Sequence, residues 1–121
     1  MNRAMMGHAA TVLLRQIGNL VRIEPDDREK PILIVEEART IDWASLTFVG
    51  QRHVLDLRIE GEVADVAAAL AQVEAGLADT EFSITGHFLA DIMAVPGSRQ
   101  ETRRGGHVAQ RLRVEALVLK D

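Results

Sequence analysis

The chain has no cysteine and no tyrosine, only three prolines, and just three phenylalanines and one tryptophan among 121 residues. Each scarcity closes off a class of function. Without cysteine there is no disulfide framework, no thiolate nucleophile and no Cys-based zinc or iron–sulfur site. Few aromatics leave little for the base stacking on which single-strand nucleic-acid modules depend, and a formal net charge of −4 argues against generic attraction to phosphate. No apolar run is long enough to cross a bilayer. The N-terminal stretch does not read as a secretory leader, because His8 and Arg15 interrupt or bound its apolar part and no clear small-x-small cleavage site is present. The expectation is a cytoplasmic protein with no cofactor, no membrane partner and no nucleic acid. Twelve arginines against two lysines, with abundant alanine, suit a bacterium of high GC content.

What is present is ordinary for a soluble fold: 47% apolar and 26% charged residues, in a length that suits a single domain over 1–121. Met6, Ala9, Ala10, Leu13, Ile17, Leu20 and Val21 recur near a period of 3.6, which predicts an amphipathic helix over residues 2–21 within an N-terminal segment 1–23. A charged linker, 24–31, is bounded by Pro25 and Pro31. Ile32 to Val35 and Ile41 then open a strand, read as one long bent strand running towards residue 49.

A β-hairpin follows in Trp43 to Gly61. With Gly50 and Gln51 as the turn, Val49 pairs with Arg52, Phe48 with His53, Leu46 with Leu55, Ala44 with Leu57 and Asp42 with Ile59. That arrangement separates an apolar face from one carrying Trp43, Ser45, Thr47, Val54, Asp56 and Arg58. Val63, Val66, Leu70, Val73 and Leu77 mark a second helix over Glu62 to Asp79, with Gly61 as its cap. Glu81 to Val95 reads as a strand, with Phe88, Ala90, Ile92 and Ala94 in unbroken phase. Residues 96–106 read as an exposed loop and His107 to Leu119 as the last strand, with Val108, Leu112, Val114, Ala116 and Val118 inward.

The order is helix, strand, strand, helix, strand, strand. A right-handed crossover that leaves a gap for the final strand gives an antiparallel four-stranded sheet ordered first hairpin strand, second hairpin strand, C-terminal strand, 81–95 strand. The expected fold class is therefore α+β, a two-layer sandwich with both helices on one face. The architecture resembles a ferredoxin-like plait in a circularly permuted arrangement.

Candidate chemistry is sparse. His87 and Asp91 are four apart, a metal-ligand spacing on a helix but about 13 Å on a strand, so no metal site is expected. In the expected register Asp91 faces Arg111 and His87 faces Glu115. Ser45, His53 and Asp56 fail as a triad because Ser45 and His53 fall on opposite faces. His53 itself reads as a turn-proximal residue with its polar end in water. No G-x-S-x-G, phosphate-binding glycine loop, dinucleotide fingerprint or H-E-x-x-H occurs.

The reading left is a non-catalytic homodimeric interaction or ligand-binding module using the sheet face that the helices leave bare. Its candidate residues are Trp43, Ser45, Thr47, Arg58, His87, Leu89, Met93 and Arg113, with Trp43 and Arg58 as a cation–π anchor. One alternative is a small-molecule enzyme with His87 and Asp91 in an interfacial pocket. The other is membrane-surface or nucleic-acid attachment through the basic first helix and Arg99, Arg103 and Arg104.

Overall fold

The computed structural model describes residues 7–21, 31–79 and 83–121. Its elements are α1 (His8–Val21), β1 (Ile32–Ala44), β2 (Val49–Glu62), α2 (Val63–Gly76), β3 (His87–Glu101) and β4 (His107–Lys120), with a 3-10 turn at Leu77–Asp79. All strand pairs are antiparallel and the sheet order is β1-β2-β4-β3, the order expected from the sequence. The chain is an α+β protein with a four-stranded antiparallel sheet and two helices. No described helix is long and apolar enough to cross a membrane. Residues 2–6 of the expected first helix, most of the 24–31 linker, and Glu81 and Phe82 lie outside the described residues.

The core follows from two periodicities meeting. Ala10, Leu13, Ile17 and Val21 of α1 and Val66, Ala69 and Val73 of α2 recur at helical spacing, while Leu55, Leu57 and Ile59 of β2 and Leu112, Val114 and Ala116 of β4 alternate along their strands. All of them belong to one buried cluster, in which each fully buried Leu or Ile contributes about 1.5–3 kcal/mol. Residues of both helices and of this face of the sheet share that cluster, and the face is called here the helix side. α2 starts one residue later than expected, with Glu62 rather than Gly61 at its N-cap, because β2 continues through Gly61.

The hairpin differs from expectation in register. Ala44 pairs with Val49, Trp43 with Gly50, Thr40 with His53 and Ala38 with Leu55. The turn is Ser45 to Phe48, closed by Ser45 N–H donating to Phe48 O at 2.8 Å, and the Ser45 hydroxyl oxygen accepts from the backbone N–H of Phe48 at 3.1 Å and of Thr47 at 3.4 Å. A serine that caps its own turn in this way competes well with a Gly-Gln pair. Gly50 serves a different purpose: a Cβ there would lie 2.1 Å from the Val118 carbonyl oxygen, so the residue permits close approach of β4. β1 is one long strand bent by a bulge at Glu36, but it ends at Ala44.

The far strand is displaced as well. β3 begins at His87, after a tight turn with Gly86 at φ +79°, and continues to Glu101, so Pro96 to Glu101 belong to the strand and not to an exposed loop. Bulges between Leu89 and Asp91 and between Pro96 and Arg99 accommodate the extra residues. The buried Gln110 side chain pins the second bulge, donating to Gly97 O at 3.0 Å and Arg111 O at 2.9 Å.

Candidate functional site

The sheet face turned away from that buried cluster can be laid out in rows across the four strands in the order β1, β2, β4, β3. The first row is Trp43, Gly50, Leu119, Phe88; the second Ile41, Arg52, Leu117, Asp91; the third Arg39, Val54, Glu115, Met93; the fourth Glu37, Asp56, Arg113, Val95. Ile34, Arg58 and Arg111 form the next. The row nearest the hairpin turn is apolar, the second and third mix apolar side chains with charged ones, Arg52 lying 3.9 Å from Glu115, and the rows beyond are mostly charged.

Side-chain size explains how the apolar end is built. Gly50 leaves a gap that the Leu119 side chain occupies, its Cδ2 lying 2.8 Å from where a glycine Cβ would be. Phe48 reaches from the turn to Phe88 on β3, ring centroids 5.8 Å apart and 77° between planes, an edge-to-face contact. Val54, Leu117 and Leu119 are buried on this face, whereas Phe48, Met93, Val95 and Ile41 keep close to half their surface in water. Trp43, Phe48 and Phe88 all collect at this end, and among the described residues the buried cluster shared with the helices contains no phenylalanine or tryptophan.

The charged end holds two groups of ion pairs. Arg58 bridges Glu36 at 2.9 Å and Glu60 at 2.6 Å, Arg111 approaches Glu36 at 3.6 Å, and Arg113 grips Asp56 with Nε at 2.7 Å and a second nitrogen at 3.2 Å. The hydrogen bond from Arg113 to Asp56, and the charge of that carboxylate, raise the guanidinium pKa above its usual value. Like charges stand directly opposite one another, Arg58 against Arg111 and Glu37 against Asp56, and each pair is flanked by opposite charge. A groove of about 620 Å³ runs beside these ion pairs, between Glu37, Asp56 and Arg113 and the bulged Pro96–Ser98 segment.

The expected site residues are therefore divided. Trp43, Arg58, Met93 and Arg113 lie on this open face. Ser45 and Thr47 are turn residues, and His87 and Leu89 point to the helix side, opposite Lys120 and Val118. Trp43 pairs with Gly50 while Arg58 pairs with Ile34 and is held by two glutamates, so the expected cation–π pair does not form. The extra residue at Ala90 shifts the phase of β3, which places His87 opposite Lys120 and Asp91 opposite Leu117, on opposite faces. The expected pairings of His87 with Glu115 and Asp91 with Arg111 are replaced by these. His53 is fully buried on the helix side, its Nδ1 3.1 Å from Thr40 Oγ1, and not half in water beside Phe48. Burial lowers its pKa.

On the helix side, a groove of about 410 Å³ lies at the open end of the sheet, lined by His8, Asp42, Gln51, His87 and Lys120 among others. Among the described residues no group of three His, Asp or Glu side chains is placed to hold a metal ion.

No protein-family model matches the chain, and no curated protein does. A chain of the solved structure described as "Virion of native gene transfer agent (GTA) particle" is similar in fold. It matches with a TM-score of 0.64 over 90% of this chain and 92% of that one, at 14% identity. The likeness is one of fold.

Proposed function

We propose that this protein is a non-catalytic, self-associating interaction module, built as a two-layer, circularly permuted plait and working through its open sheet face. The strand order and the single core shared by both helices favour that architecture. The observation that carries the functional reading is the placement of the aromatics. Trp43, Phe48 and Phe88 sit at the apolar end of a face that neither described helix covers, with Ile41 and Met93 exposed beside them. Aromatic side chains concentrated on a surface, and absent from the described part of the core, are the residue types enriched in protein–protein contacts.

An enzyme built on His87 and Asp91 would need them to converge, and their opposite orientations remove support for that reading. The protein is expected to exceed the 13.3 kDa chain mass in light scattering at micromolar concentration. Phe88→Glu and Met93→Glu, which put charge on the open face, are expected to shift the assembly towards monomer. A wild-type chain that stays at the monomer mass at several hundred micromolar would overturn the reading.

A further inference from the structure

The geometry points to the edge of β1 as a docking site for a second copy of the chain, paired antiparallel about Ile41. This rests on the reading that the protein self-associates but assigns the contact to the backbone edge of β1, where the rows of the open face end at Ile41 and Trp43, and not to the face itself. The sheet has two edges, and they are not equivalent. β3 carries Pro96, which has no N–H, and two bulges, devices that prevent further strand pairing. β1 has one bulge, at Glu36, and beyond it an uninterrupted run from Glu37 to Ala44 without proline or glycine. Within that run Arg39, Thr40, Ile41 and Asp42 are all exposed, although successive residues point to opposite faces. Neither face shields this stretch.

The backbone groups facing outward can be identified. Ser45 N–H bonds to Phe48 O across the turn, and hydrogen-bonded pairs alternate with non-bonded ones along an antiparallel ladder. Trp43 and Ile41 are therefore bonded to β2, while the N–H and C=O of Ala38, Thr40, Asp42 and Ala44 point away from it. A second strand would meet those groups.

The sequence of the run decides the partner. Antiparallel pairing of two identical strands about Ile41 sets Ile41 against Ile41, Thr40 against Asp42, Arg39 against Trp43 and Ala38 against Ala44. Each match is favourable in kind: apolar on apolar, hydroxyl to carboxylate, guanidinium on indole, small on small. Shifting the dyad to Thr40 places Glu37 against Trp43, and shifting it to Arg39 places two arginines together. A twofold axis perpendicular to the sheet satisfies the Ile41 register with both sets of helices on one side, as an isologous interface requires. The two open faces then join into one eight-stranded surface.

The absence of cysteine makes a direct test simple. In the proposed register the two copies of residue 41 form a non-hydrogen-bonded pair, whose Cα separation of about 4.5 Å lies within disulfide range. Ile41→Cys is expected to give a covalent dimer quantitatively under mild oxidation, and Leu46→Cys, at the exposed turn, at least tenfold less at the same protein concentration. Asp42→Pro removes an outward N–H without touching the β1–β2 ladder or the open face, and is expected to yield a folded monomer by circular dichroism and light scattering. If Ile41→Cys cross-links no better than Leu46→Cys, the edge assignment is overturned. Should Phe88→Glu and Met93→Glu alone dissolve a wild-type assembly, the open-face reading stands and the edge assignment falls. A monomeric wild type removes both.

Discussion

His53 stands on the helix side of β2, 1% exposed, with Nδ1 beside Thr40 Oγ1 and Nε2 without a hydrogen-bond partner among the described residues. A proton placed there would have to be buried with the imidazole, so desolvation lowers the pKa from its ordinary 6.5. Above pH 6.5 the ring is neutral in both folded and unfolded chains. As pH falls through that value the unfolded chain takes up a proton that the folded chain resists, and stability is lost until the folded imidazole titrates. The slope approaches about 1.4 kcal/mol per pH unit at most. Thermal unfolding at pH 8 and pH 5 is expected to show a larger drop in wild type than in His53→Leu, and the difference between the two slopes isolates this ring from His8, His87 and His107. Equal slopes would mean that His53 is hydrated. The sequence placed this residue on the correct strand face but beside Phe48, at the turn, where water would have reached it.

At the scale of the element, the hairpin shows what alternation can and cannot specify. His53, Leu55, Leu57 and Ile59 face the helices, and Trp43, Asp56 and Arg58 face away, as the pattern required. Ala44, however, meets Val49 and not Leu57, a slide of eight residues. An even slide leaves every side chain of β2 on its own face, so periodicity is blind to it. Only turn chemistry discriminates, and its signal is the Ser45 hydroxyl, whose oxygen accepts from two backbone N–H groups. The same blindness explains β3, whose apolar phase looks unbroken through Ala90 although a bulge resets it, and which runs on through Pro96 because an edge strand tolerates proline. Two substitutions separate the registers. Leu46→Ser is expected to change stability by less than about 0.5 kcal/mol, because Leu46 is 105% exposed at the turn. In the other register it would be a core residue and would cost about 2–5 kcal/mol. Gly50→Ala drives a methyl group against the Val118 carbonyl and is expected to cost about 1–3 kcal/mol in urea or thermal unfolding.

For the molecule as a whole, one core shared by the helices and the sheet, together with two inequivalent sheet edges, defines where protection from solvent comes from. β2 and β4 are hydrogen-bonded on both sides and carry most of the sheet's buried residues, so their amides are expected to exchange by the slowest, near-global opening. β1 must show a mixed pattern, because alternate amides point inward to β2 and outward to solvent. Ile41 and Trp43 are expected to be protected at every protein concentration. Thr40 and Asp42 are expected to exchange freely in dilute protein, and to slow by an order of magnitude or more as concentration rises and a second β1 supplies acceptors. Hydrogen exchange read residue by residue at low and high concentration therefore distinguishes the edge from the face. Association through the open face alone would shield side chains of Phe88 and Met93 and leave the outward amides of β1 as fast as before. Protection gained along β3 in their place would show that its bulges and Pro96 do not guard that edge.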